Sequence, residues 1–154
     1  MRAVVQRVQR ASVHVDDTDE RRIGSGLVVL VAVAETDDQA DADYMAEKVG
    51  NLRIMDVDGR MDRSVVDVSG EVMLIPQFTL YANTRKGRRP SFSASANPDK
   101  AKPLLERLNS NLTDLGLRIV TGEFGKHMVV DLANDGPVTI ILDSDDRHRS
   151  RKAN

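Results

Sequence analysis

Apolar positions recur along this chain with two different periods, and the switch between them predicts its elements. Val4, Val5, Val8, Val13 and Val15 stand among polar residues, which predicts one or two strands over 3–15 with a bend near Arg10-Ala11-Ser12. Leu27 to Ala34 is an unbroken apolar run, the signature of a central strand covered on both faces. Val72-Met73-Leu74-Ile75 reads as a second buried strand, and 117–121, 128–133 and 138–142 as three more. A weak strand at Val65-Val66 lies between turn signals at Asp58-Gly59 and Ser69-Gly70. The period changes to three and four at Ala42, Met45, Ala46, Val49 and Leu52. That predicts a helix over 37–52, with Thr36 as N-cap and Gln39 reaching back. A second helix starts at Asn97-Pro98, or properly at Pro103 if that proline does not merely kink it. Its stripe is Leu104, Leu105, Leu108, Leu112 and Leu115, and Gly116 supplies a stop.

Strands therefore outnumber helices, and so few helices cannot cover both faces of so large a sheet. The predicted fold class is α/β in layers: two to three helices on one side of two packed, mostly antiparallel sheets. The 154 residues suit a single domain, placed at 1–144, with the polar stretch 145–154 expected to fray. Asp16 to Arg22 reads as a solvated charged loop. The absence of cysteine excludes disulfides and thiolate chemistry. No apolar run approaches the ~20 residues of a membrane helix, and the charged start is no signal peptide, so a cytoplasmic protein without a membrane partner is expected. A net charge of −2 means that any nucleic-acid contact must come from a local patch.

Such a patch exists. Pro76 ends the apolar run, Gln77-Phe78-Thr79-Leu80 follow, and Arg85, Lys86, Arg88 and Arg89 then crowd a short loop before Pro90-Ser91-Phe92. The usual hydrolytic machinery is missing: no H-E-x-x-H, no G-x-S-x-G, no P-loop. His127 and Asp131 stand four apart, on one face if 127–131 is a strand, and a structural role suits them best. What remains is backbone chemistry. A strand end broken by proline frees N–H groups, which can stabilise an oxyanion without a titrating side chain. The other reading of Gln77 and Thr79, ordinary polar residues on a strand edge, stays open at this point.

Asn134-Asp135-Gly136-Pro137 carries hairpin chemistry between two predicted strands. Proline directly after glycine favours neither ladder nor regular turn, and a Gly-Pro bond adopts cis at modest cost. A structural turn and a pocket wall both fit.

Four segments together, in this order, are specific: Gln6-Arg7-Val8, Gln77-Phe78-Thr79-Leu80, Lys86 to Phe92, and Asn134 to Thr139. With them the chain resembles the D-aminoacyl-tRNA deacylases (D-Tyr-tRNA deacylases) from Met1 to about Ser144. The resemblance implies a homodimer with a three-layer α/β/β fold, acting on the tRNA 3′ end that carries a D-amino acid or glycine. It implies that a cis Gly136–Pro137 peptide enters the partner subunit's site and rejects L side chains by crowding, with Arg7 holding that segment. Gln77, Phe78 and Thr79 would form the catalytic segment through backbone groups, with the substrate's ribose 2′-OH in place of a protein nucleophile. Pro76 and Phe92 would border the substrate, and Lys86, Arg88 and Arg89 would meet tRNA phosphates. No metal, cofactor or DNA partner is implied. One departure stands out: the family's S-Q-x-x-L segment begins with serine, and here position 76 is proline, without hydroxyl or N–H. Two alternatives follow: a tRNA-binding homologue disabled by Pro76, or a hydrolase pairing Thr79 with His127.

Overall fold

A computed structural model of the chain describes residues 1–16 and 19–149. In chain order these form β1 (Arg2–Val15), β2 (Asp19–Ile23), β3 (Gly26–Ala32), α1 (Gln39–Asn51), β4 (Met55–Val57), β5 (Arg60–Arg63), β6 (Glu71–Pro76), a 3₁₀ turn (Phe78–Tyr81), α2 (Pro98–Asp114), β7 (Arg118–Thr121), β8 (Met128–Asp143) and a closing 3₁₀ turn (Ser144–His148). Among the described residues, no helix is long and apolar enough to cross a membrane.

The long strand β1 organises the rest. Its first half pairs antiparallel with β3, its second half antiparallel with β2, and β8 runs antiparallel along both halves. β6 and β7 then add in parallel beyond β3, so one six-stranded hydrogen-bonded sheet carries most of the chain, and β4–β5 is a separate two-stranded ribbon. Two cores lie on its two sides. One joins Val5, Leu27, Val29, Val72 and Leu74 to Met45, Val49, Leu108 and Leu112 of the helices. The other joins Val28, Met73 and Ile75 to Val8, Val13, Val15 and Ile23. Residues on successive positions of β3 and β6 thus face opposite cores, which is why these strands are apolar throughout rather than alternating.

Several elements differ from the sequence reading. The charged stretch after Asp16 is not all loop. Asp19–Ile23 is β2, because its charged side chains pair along the strand, Arg21 with Asp19 at 2.6 Å and Arg22 with Glu20 at 2.6 Å, while Ile23 closes the core; Asp17 and Thr18 lie outside the described residues. Val65-Val66 is not a strand. The segment is held locally, Ser64 N–H donating to Asp67 Oδ2 at 2.8 Å and Gly70 N–H to Val65 O at 2.9 Å. The N-cap of α1 is Asp38, with Asp41 completing the capping box, not Thr36 with Gln39. The preceding Asp37 is occupied elsewhere: its Oδ1 takes the buried Met1 amine at 2.7 Å and its Oδ2 the Ala34 N–H at 2.6 Å. α2 begins at Pro98 under the Asn97 cap and runs through Pro103.

The largest difference is at 134–137. No hairpin forms; 128–143 is one strand that keeps β1 as its partner before and after the irregularity. The register shifts between Gln6 and Val8 and again between Val8 and Ala11 absorb the extra residues as a bulge. Within the stretch expected to fray, residues 145–148 belong to the closing 3₁₀ turn. Asp143 caps the closing turn through Asp145 N–H at 3.1 Å, Ser144 is fully buried against Met1, and Arg147 reaches Asp41 at 3.1 Å; residues 150–154 lie outside the described residues.

Candidate active site

β3, β6 and β7 are parallel, and the carboxyl end of β6, the middle strand of the three, opens on a cavity, the usual place for a ligand in a sheet of this kind. The cavity holds about 660 Å³. Pro76, Gln77 and Phe78 line it from the end of β6, Phe92 and Ser95 from the segment before α2, and Phe124 and His127 from the β7–β8 connection. The segment before α2 is fixed to the end of β3 by Ala96 N–H donating to Val33 O at 2.9 Å.

How the chain leaves β6 decides which backbone groups face this space. Gln77 N–H donates to Val31 O at 2.8 Å on the β3 side, and Leu74 O accepts from Gly122 N–H at 2.9 Å on the β7 side. By strand alternation the nitrogen of Pro76 faces the β7 side too, one step beyond that strand's last partner, Thr121. A proline therefore fits at position 76 without removing a ladder bond. The chain then enters the 3₁₀ turn. Leu80 N–H returns to Gln77 O at 3.2 Å, whereas the first two amides of the turn, Phe78 and Thr79, have no acceptor within it. The free N–H groups are thus Phe78 and Thr79, not Gln77.

Side chains hold the turn in place. Ser95 Oγ donates to Phe78 O at 2.8 Å. The Thr79 hydroxyl accepts from Gln77 Nε2, which ties both polar side chains to each other. No hydrogen bond joins Thr79 to His127, and Asp131 lies 3.8 Å from His14 rather than beside His127, which precedes the strand. Phe78 is half exposed at the cavity, and its ring meets Phe92 edge-on at 5.1 Å. Burial pushes the Tyr81 phenol well above its ordinary value, with Asp37 and Asp143 acting in the same direction, so Tyr81 stays neutral across the physiological range.

The basic loop projects beside this turn from a backbone bridge between Asn83 and Ser91. Arg85, Lys86, Arg88 and Arg89 are all exposed, and among the described residues none is paired with a carboxylate. Arg85, Lys86 and Arg89 line a shallow hollow of about 490 Å³ with Asn83 and Ser91; Arg88 does not face it.

Gly136 and Pro137 lie elsewhere, exposed in the β8 bulge, joined by a cis peptide bond and absent from the lining of the chain's own cavity. Beneath them Arg7 is 6% exposed; its Nη1 donates to Ile54 O at 2.8 Å and its Nε meets Asp135 Oδ2 at 3.0 Å. Asn134 Nδ2 bridges the bulge, donating to Arg7 O at 2.9 Å and Val138 O at 3.0 Å.

The family model "D-Tyr-tRNA(Tyr) deacylase" matches residues 4–143 of this chain, the span that carries both the strand end at Pro76 and the N-D-G-P bulge. The chain belongs to that family. Proteins named D-aminoacyl-tRNA deacylase are similar over nearly the whole chain. One from Heliobacterium modesticaldum is 51% identical over 93% of this chain and 96% of its own length, and one from Shouchella clausii is 52% identical over 94% and 100%. A solved structure titled c-Myc DNA Unwinding Element Binding Protein superposes with a TM-score of 0.85 at 36% identity, over 93% of this chain and 98% of that one. A structure titled as a probable eukaryotic D-amino acid tRNA deacylase has the same fold, with a TM-score of 0.81 at 16% identity over 92% and 97% of the two chains. Among the sequence-predicted residues, the structure brings Pro76, Gln77, Phe78, Phe92 and His127 to one cavity; Thr79, Arg7, Gly136, Pro137, Lys86, Arg88 and Arg89 do not line it. Ser95 and Phe124 border the cavity too, and their aperiodic loops had offered no signal beyond being rich in serine or glycine.

Proposed function

We propose that this protein hydrolyses the ester bond of D-aminoacyl-tRNA, and of mischarged glycyl-tRNA, as a translation quality-control enzyme. The family membership makes it a carboxylic ester hydrolase acting on tRNA. Water adds to the ester carbonyl, the bond to the ribose oxygen breaks, and free amino acid and tRNA leave. The observation that carries the mechanism is a pair of amides without an acceptor in their turn, that of Phe78, which lines the cavity, and that of Thr79, the next residue along the chain. Preorganised N–H donors of this kind stabilise the oxyanion that develops at the carbonyl. The Thr79 hydroxyl accepts from Gln77 Nε2; in this reading the substrate's own ribose 2′-OH, rather than a protein group, handles the proton, as the family resemblance implies. Phe78 and Phe92 offer an aromatic surface to the terminal adenosine, and Lys86, Arg88 and Arg89 meet the adjoining phosphates.

The working unit in this reading is a homodimer of three-layer α/β/β subunits. Gly136 and Pro137 of the partner subunit enter the cavity and leave no room for an L side chain, a steric rejection that needs no tailored pocket. Two facts support it: the Gly-Pro segment is exposed, and it does not line its own chain's cavity.

The deciding experiment is release of D-tyrosine from D-Tyr-tRNA, with L-Tyr-tRNA and Gly-tRNA beside it and duplex DNA as a binding competitor. Turnover of the D and glycyl substrates and none of the L substrate is expected; binding without turnover would mean a non-catalytic homologue. Thr79→Ala should retain most activity. A fall beyond about a thousandfold, the scale of losing an oxyanion donor, would instead make the hydroxyl essential.

A further inference from the structure

The 3₁₀ turn that presents Phe78 and Thr79 is held at its far end by a residue outside the four segments named above. Arg2, the first residue of β1, reaches across to that turn. Its Nη1 donates to Leu80 O at 3.2 Å, and its guanidinium carbon lies 4.8 Å from the centre of the Tyr81 ring. The same guanidinium is anchored from behind by Asp143, the last residue of β8, whose Oδ2 accepts from Nε at 3.1 Å and from Nη2 at 2.9 Å. Three elements far apart in sequence thus converge on the end of a turn of four residues. Carbonyls at the end of such a turn have no partner within it, and Leu80 O is supplied with one here.

We propose that Arg2 is a positioning residue for catalysis: held by Asp143, it fixes the carboxyl end of the Phe78–Tyr81 turn and thereby the direction of the Phe78 and Thr79 amides. This rests on the backbone-donor reading above. The Arg2 and Asp143 side chains are 40% and 24% exposed, so the pair adds little to global stability. Its effect lies in geometry. Donors aimed at a developing oxyanion lose effect steeply when displaced by fractions of an ångström, and a loose turn samples such displacements. Arg2 is also cationic and stands near the proposed tRNA site, so the competing role is a phosphate contact. The two roles leave different kinetic marks.

The test uses full-length protein and D-Tyr-tRNA, with kcat and KM measured across a salt series at a temperature where each variant is folded. For Arg2→Met a fall of about tenfold in kcat is expected, with KM and salt slope unchanged. Arg2→Lys should recover part of it, because an ammonium reaches one partner but cannot span both. Asp143→Asn keeps Arg2 but loosens it, and should lower kcat by about threefold. If Arg2→Met does not fold, Asp143→Asn carries the test alone. An unchanged kcat in a folded variant would overturn the proposal. So would a raised KM with a shallower salt slope, which marks a phosphate ligand. A wild-type chain that releases no D-tyrosine would overturn the deacylase reading as well, whereas active wild type with unaffected variants removes only the role of Arg2.

Discussion

Two prolines interrupt two strands of this protein with opposite results. At Pro76 β6 ends and the chain turns into the site; at Pro137 β8 continues for six more residues. The residues themselves do not account for the difference, since both lack an N–H and both have fixed φ. The partner strand does. β7 has made its last pair at Leu74–Thr121, so nothing holds β6 to the sheet on that side beyond Pro76. β8 has β1 beside it on both sides of the interruption, pairing Val8 with Asn134 and Gln6 with Thr139. Asn134, Asp135 and Arg7 then close the gap with side chains. A proline stops a strand where the ladder is ending anyway, and becomes a bulge where the ladder resumes.

The sharpest way to break this comparison is to remove the side chains that close the bulge. Arg7→Met takes away a buried cation that serves Ile54 O and Asp135. Because Asp135 is about a third exposed and regains water, the loss should be about 2–3 kcal/mol rather than the full cost of a buried pair. Thermal or urea unfolding would show it, and D-tyrosine release should fall in the same variant. An unchanged midpoint would mean that the backbone alone sustains the bulge.

Gly136→Ala asks the same question of the backbone. Gly136 has φ of +113°, and an added Cβ would lie 2.8 Å from Val138 Cγ2, 3.0 Å from Arg7 Nη2 and 3.1 Å from Val138 N. A destabilisation of about 1–3 kcal/mol is expected in unfolding experiments, with the Arg7–Asp135 contact displaced. On the other side of the comparison, Ser95→Ala removes the donor to Phe78 O and loosens the turn after Pro76. That should cost about 1 kcal/mol of transition-state stabilisation, roughly fivefold in kcat for deacylation, with little change in unfolding midpoint. The smallest effect belongs to Pro76→Ser. No ladder position is recovered, so stability should change by less than about 1 kcal/mol, in the direction of loss as the unfolded chain gains freedom. A gain in stability would show that the serine N–H finds a partner beyond Gly122 and that the alternation argument is wrong. A lower KM on D-Tyr-tRNA would show that the family serine contacts substrate.

Much of the fold and part of the site were legible in the chain itself. Runs such as 27–34 and 72–75 announced buried central strands because both of their faces meet a core, and the Ala42–Leu52 stripe announced α1 because one face meets it. The basic loop at 85–89 and the N-D-G-P segment were visible as local chemistry, and local chemistry needs no partner to be read. Everything that depended on a partner had to wait for the tertiary structure. β2 was hidden because charged side chains pairing along a strand look like a solvated run. Asp38, not Thr36, took the cap, with its neighbour Asp37 committed to the amine of Met1. Ser95 and Phe124 came to the cavity from loops, and Arg2 to Leu80 and Tyr81 from the start of β1, where no periodicity marks a residue's neighbours. Hydrophobic patterning alone marks which segments must be buried and which cannot be. Whether a proline ends a strand or bends it, and which amides are left without acceptors after β6, is set by the neighbouring strands, because a hydrogen bond belongs to two segments and a sequence pattern describes one.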